Sequence, residues 1–204
     1  MSRQSIGRKH VGAAAAAAAL LVVGIAALSS SDRSEFWERL KIGGWEVETF
    51  SSMSDMVRAS DSVVLARIGG VDVSRTIQGD APEDVVTYAR LDLEVLQVIS
   101  GTSPDRVPLE FLVGAIPGQV AAEIEALRQA IPKEPAVFFL HAKRGNDEHG
   151  LYRLIASTGL FAATSRSTLE APLRDDAPFS VELRAVGSVE SLVDYLESLA
   201  AQTR

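Results

Sequence analysis

The chain has 204 residues, no cysteine and a formal net charge of −7. Without cysteine there is no disulfide, no thiolate metal ligand, no cysteine nucleophile and no lipidated cysteine behind an apolar leader. Charge divides into +3 over residues 1–30 and −10 over residues 31–204, and no basic patch with interleaved aromatics is present, so nucleic acid is excluded as an expected partner.

Arg3, Arg8 and Lys9 precede residues 11–28, an 18-residue run without a charged or polar side chain. As a helix it extends about 27 Å at ~1.5 Å per residue, close to the ~30 Å apolar thickness of a bilayer. Residues 1–30 are therefore expected to be a transmembrane anchor or a signal peptide. Cleavage after Ser29, with Ala27 at the −3 position, satisfies the small-residue rule. A buried soluble helix, apolar all round behind a basic terminus, fits a domain of this size less well. The basic flank keeps the N-terminus in the cytoplasm and puts residues 31–204 outside. The expected location is the cell membrane with the domain outside the cytoplasm, or secretion after cleavage.

Residues 31–50 read as a linker or membrane-proximal segment. Phe36, Trp37 and Leu40 in it suit either an interfacial turn at the membrane surface or a short helix packed on the domain, and Gly43-Gly44 ends it. Residues 51–204 form one domain of ordinary size with enough apolar residues for a core.

Residues 51–60 predict a short helix capped by Ser51 or Ser52, with Met53, Met56 and Val57 on one face. Residues 62–74 predict a strand interrupted at Gly69-Gly70, as for a bulge, and residues 76–84 a loop. Residues 84–100 predict the longest strand. Thr87, Ala89, Leu91, Leu93 and Val95 share one face, and then the apolar parity shifts to Leu96 and Val98. Such a shift signals a β-bulge, which coils a strand as small barrels require.

Residues 101–105 form a turn, and residues 107–113 a third strand. Residues 119–130 predict an amphipathic helix bearing Val120, Ile124, Leu127 and Ile131, with Glu123, Glu125 and Arg128 on its wet face. Residues 136–142 predict a fourth strand, apolar enough to be central. After the polar turn 143–150, residues 151–156 predict a fifth strand and residues 159–163 a sixth. Residues 165–186 read as loop. Residues 188–202 close the chain as an amphipathic helix capped by Ser188, whose stripe is expected to cover the open side of the domain's own barrel or, alternatively, to dock a partner helix. Met53, Met56 and Trp45 read as packing.

The expected fold is mainly β with flanking helices (α+β). A helix between the third and fourth strands is the arrangement of a small OB-like barrel of five or six strands. An immunoglobulin-like sandwich is the alternative, and the helix within the strand series counts against it.

Four segments also carry a resemblance. They are Ala59-Ser-Asp-Ser-Val-Val-Leu-Ala-Arg-Ile68, the strand from Tyr88 into Leu96-Gln-Val-Ile-Ser-Gly-Thr-Ser-Pro104, Ala136-Val-Phe-Phe-Leu140, and Gly159-Leu-Phe161. Together they resemble netrin-like (TIMP-like) domains and their bacterial secreted relatives over roughly residues 50–165. These are packing and turn positions, so the resemblance implies the fold and hardly bears on activity. Animal members of that family use disulfides, and inhibitor members place an N-terminal cysteine on a protease's zinc. That mechanism does not carry over to a chain without cysteine.

His141, Asp147, Glu148 and His149 flank one hairpin and are candidate metal ligands, though a solvated turn is the simpler reading. A Ser/His/Asp triad would have to use His141 or His149, because His10 lies in the leader. No Gly-x-Ser-x-Gly elbow occurs, and residues 68–71 lack the spacing of a phosphate loop. Arg67, Arg75 and Arg90 line a face suited to an anionic ligand, or they are solvated beside Asp72, Asp92 and Glu94. No residue is assigned as catalytic, metal-binding or cofactor-binding, and no cofactor is expected. The expected function is a membrane-tethered or secreted extracytoplasmic module that binds a protein or envelope component. The alternatives are an extracytoplasmic hydrolase and a structural subunit of a membrane complex.

Overall fold

Two 17-residue strands, β1 (Ser62–Gln78) and β2 (Val85–Gly101), pair antiparallel along their whole length. The computed structural model describes residues 35–40, 48–81, 84–114, 117–145, 148–156, 158–165, 168–170, 183 and 185–202. The apolar run 11–28 and its cleavage position, Gly43-Gly44, Trp45 and Asp147 lie outside these. Among the described residues no helix is long and apolar enough to cross a membrane.

The β1–β2 ladder slips four times. Gly69 and Ser74 are the unpaired residues on β1, and Leu96 and Ile99 on β2. Each slip bends the hairpin and adds twist. The shift after Val95 is therefore real: Val95 pairs with Ala66, and Val98, not Gln97, pairs with Val64. At the turn into β3, Gly101 has φ +75°, and an added Cβ would strike the Asp61 carbonyl. Only glycine suits that position. The strand expected to stop at Ser74 runs on to Gln78, because residues 85–88 continue to supply it with partners.

β3 (Arg106–Gly114) lies on the other side of β2. β4 (Ala136–Ala142) pairs with β1, and β5 (Tyr152–Leu154) lies between β4 and β3, touching β3 in parallel at Leu109 and Tyr152. These contacts close a ring of hydrogen bonds in the order β1–β2–β3–β5–β4–β1. β6 (Leu160–Ser165) continues from β4, and β7 (Thr168–Glu170) from β6, inside the stretch expected to be loop. The class is thus mainly β with helices.

Two apolar clusters lie on opposite sides of the β1–β4 wall. Inside the ring are Val64, Ala66, Leu91, Leu93, Leu109, Phe138 and Leu140. They are met by Val120, Ile124 and Leu127 of α3 (Pro117–Gln129) and by Phe36, Trp37 and Leu40 of α1 (residues 35–40). Phe36 and Trp37 pack edge to face with ring centroids 4.9 Å apart. Of the two readings of this segment, the helix packed on the domain is the one observed, and the folded unit includes it.

Outside the ring, Val63, Val137, Phe139 and Phe161 meet Met53 and Met56 of α2 (Met53–Ala59) and Leu192, Val193 and Leu196 of α4 (Val189–Gln202). The alternating side chains of β1 and β4 thus feed both clusters, as their continuous apolar runs predict. The stripe of α4 packs on its own domain, but over the outer wall and not over an open mouth. Both caps are in place. Ser52 Oγ accepts from the Asp55 N–H at 3.1 Å, and Ser188 Oγ from the Ser191 N–H at 3.1 Å, leaving two fewer orphan donors.

Candidate functional site

Along β3, Leu109 and Phe111 point into the ring core, so alternation sends Glu110 outward. Glu110 is nevertheless only 1% exposed. Three parts of the chain cover it. The bulge on β1 frees Ser74 to donate from Oγ to Glu110 Oε1 at 2.6 Å. Arg75, the next residue, donates from Nε to Oε1 and from Nη2 to Oε2, each at 3.1 Å. Lys143, just past β4, donates from Nζ to Oε2 at 2.7 Å. Its backbone N–H is held by the Leu151 carbonyl at 2.9 Å.

Glu148, on the turn between β4 and β5, is the second carboxylate. Its Oε1 bonds Arg75 Nη2 and lies 3.4 Å from Lys143 Nζ. The turn is tied by Glu148 N–H to the Gly145 carbonyl at 3.1 Å and by Leu151 N–H to the Glu148 carbonyl at 3.0 Å. Tyr88 of β2, the cross-strand partner of Arg75, lies beneath both cations. Its ring centroid is 5.0 Å from the Arg75 guanidinium carbon and 5.1 Å from Lys143 Nζ, within cation–π range.

Two cations thus meet two carboxylates. Burial pushes the Glu110 carboxyl up, but hydrogen bonds from Lys143, Ser74 and Arg75 outweigh it and hold the group below the usual glutamate range. Glu148 is lowered the same way, its partial burial overcome by Arg75 and Lys143. Burial pulls Arg75 down, and its bonds to Glu110 and Glu148 carry it above the ordinary guanidinium value. Both carboxylates are therefore ionised at neutral pH, and each is held by both cations.

Beyond the cluster the hairpin carries exposed apolar side chains. Ile77 and Val86 are direct cross-strand partners, 45% and 36% exposed. By alternation they share the face of Arg75 and Tyr88.

Of the three arginines read as a possible anion face, Arg75 alone enters the cluster. Arg90 sits opposite Glu110 on β2, but its Nε is 2.8 Å from Asp92 Oδ1. Arg67 is exposed, with Glu94 opposite. Asp72 pairs with Arg128, and Glu94 with Arg106 at 3.6 Å. The described hairpin candidates for a metal, His141, Glu148 and His149, do not meet. Glu148 belongs to the cluster, His149 is exposed, and His141 Nδ1 lies 3.0 Å from Asp61 Oδ2. That Asp61 oxygen also accepts the Ala142 N–H at 2.9 Å. Among the described residues no three His, Asp or Glu side chains are grouped to hold a metal ion.

Sequence reasoning missed Ser74, Tyr88, Glu110 and Lys143. One signal was present: Glu110 is the single acid in the apolar run Val107–Val113, where a charge needs partners if it is buried. No family model, no curated protein and no solved structure matches this chain.

Proposed function

We propose that this chain is an extracytoplasmic binding module on a small OB-like barrel, held at the membrane by residues 11–28 or secreted after their cleavage. The strand order β1–β2–β3–β5–β4–β1, with α3 between β3 and β4, supports the OB-like reading. The segments that resemble netrin-like domains support it independently. OB-type barrels bind ligands on the face of their second and third strands, between the β1–β2 and β4–β5 loops.

The observation that carries the proposal is the position of the charged cluster. Tyr88 on β2 and Glu110 on β3 lie on that face. Arg75 comes from the β1–β2 hairpin, and Lys143 and Glu148 from the β4–β5 turn. The apolar Ile77–Val86 pair continues the same surface. The chemistry favours binding over hydrolysis, because a carboxyl acting as general acid needs a raised pKa, and both carboxyls here are lowered. The partner is a protein or envelope component.

The test is capture from native membranes with the full chain, comparing wild type, Val86→Asp and a control, Glu190→Lys, at an exposed position of α4. Loss of one specific co-purifying component with Val86→Asp, and its retention by the control, is the expected result. Equal recovery with both variants would remove this face from the function.

A further inference from the structure

We infer that the cluster is a carboxylate-binding site whose present occupant is the chain's own Glu148, and that a ligand bearing one carboxylate on an apolar body displaces it. The inference rests on the binding-face reading above and names the ligand's chemistry.

The two carboxylates are not equivalent. Glu110 belongs to a strand, is buried, and takes three donors, Ser74, Arg75 and Lys143. It is part of the site's frame. Glu148 belongs to a turn, its side chain is 24% exposed, and only Arg75 and Lys143 hold it. Gly145 makes room for it: a Cβ at 145 would come within 2.5 Å of Glu148 Oε2. The turn therefore delivers a carboxylate into a prepared cradle, and the carboxylate can leave without disturbing a strand.

Charge sets the ligand class. With Glu148 withdrawn, Arg75 and Lys143 face Glu110 alone, and the site carries one net positive charge. One carboxylate restores neutrality, and the planar guanidinium suits its two oxygens. A phosphate dianion overfills the site, and the −10 of residues 31–204 repels polyanions. The apolar part follows from the neighbours. Ile77 and Val86 lie two residues along the same face from Arg75 and Tyr88, about 7 Å away at the rise of a strand. A leucine-sized group attached to the bound carboxylate reaches them. A protein C-terminus and a short fatty acid both have this form.

The experiment uses the full chain in neutral detergent, with NMR signals of the Tyr88 and Glu148 amides as readout. The probes are an octapeptide ending in leucine with a free carboxylate, the same peptide amidated, hexanoate, and sulfate. A free acid should bind and shift both amides, with amide and sulfate at least tenfold weaker. Binding by the peptide alone identifies a protein terminus as the source, and by hexanoate alone a lipid acid. Glu148→Gln should tighten the free acid by about tenfold, and Arg75→Gln should abolish it. Gly145→Ala, whose Cβ forces the Glu148 carboxylate to shift while keeping its charge, should tighten it in the same direction and serves if Glu148→Gln fails to fold. Equal binding of acid and amide, or no tightening in either variant, overturns the inference. If no acid binds while Val86→Asp still abolishes envelope capture, the binding face stands and the carboxylate site falls. If acid binds while capture ignores Val86, the reverse holds.

Discussion

Glu110 shows how far one residue's role can be read from the chain. Its place in an apolar strand marks it as an acid that needs partners. The identity of those partners depends on a bulge 36 residues earlier and a turn residue 33 residues later, and no local pattern encodes that meeting. Arg75 was legible as a cation on the correct face, while Lys143 read as an ordinary turn residue. Removing one member of a buried charge group leaves the others uncompensated, which costs about 3–5 kcal/mol. Arg75 and Lys143 reach some water, so Glu110→Ala should fall near ~3 kcal/mol on that scale. Chemical denaturation at neutral pH measures it. The acid dependence has a definite sign. Both carboxyls titrate lower in the folded protein than their ordinary 4.5. Their stabilisation is complete above that value and is lost as pH falls through it toward the folded values. The melting temperature of wild type should therefore drop on acidification below pH 4.5, and the Glu110→Gln variant should show a shallower drop. Parallel acid profiles would show that the group is not coupled to folding.

At the scale of elements, periodicity identified all five ring strands, α2, α3 and α4, and it failed where burial depends on a distant neighbour. The Ala136–Ala142 run was legible as central because every position in its first five is apolar, and all five are buried. Leu96 and Val98 were legible as a bulge, but they are 47% and 41% exposed. β3 begins at Arg106 opposite Glu94, so this end of β2 has no strand on its outer edge and little to pack against. β7 escaped notice because three residues give alternation nothing to work on. These contrasts give a paired prediction. Phe139 is fully buried and meets Phe161 edge to face with centroids 5.5 Å apart. Phe139→Ala should cost about 3–5 kcal/mol through lost transfer energy and a cavity, out of a total of roughly 5–15 kcal/mol. Val98→Ala should change stability by no more than about 0.5 kcal/mol. Similar melting temperatures for the two variants would mean that the outer cluster contributes no more than the exposed edge.

For the whole molecule, the order of elements carried more than any motif. Three strands, a helix and two strands implied a closed sheet, and the closure rests on two pairings between strands far apart in sequence, β1 with β4 and β3 with β5. Alternation within a strand tells which side is buried and nothing about which strand is adjacent, so the ring was legible only through topology. The same scale holds the prediction about location. Charge in the chain is polarised, with Arg3, Arg8 and Lys9 ahead of residues 11–28 and a net −10 behind them. Basic residues flanking an apolar run are retained on the cytoplasmic side, so the domain that follows the run should lie outside. α1 begins only seven residues after the apolar run, and its Phe36, Trp37 and Leu40 are buried in the ring core. An uncleaved anchor would therefore keep the barrel against the membrane surface, since a six-residue link reaches at most about 22 Å. Protease added to intact spheroplasts should digest the domain while a cytoplasmic marker survives. If the chain is anchored, cleavage between residue 28 and α1 should release the domain's fragments and leave residues 1–28 with the membrane pellet, and a secreted chain should instead be found in the medium without residues 1–29. Protection of the domain until the cells are lysed would place it in the cytoplasm and would remove the extracytoplasmic part of the proposed function.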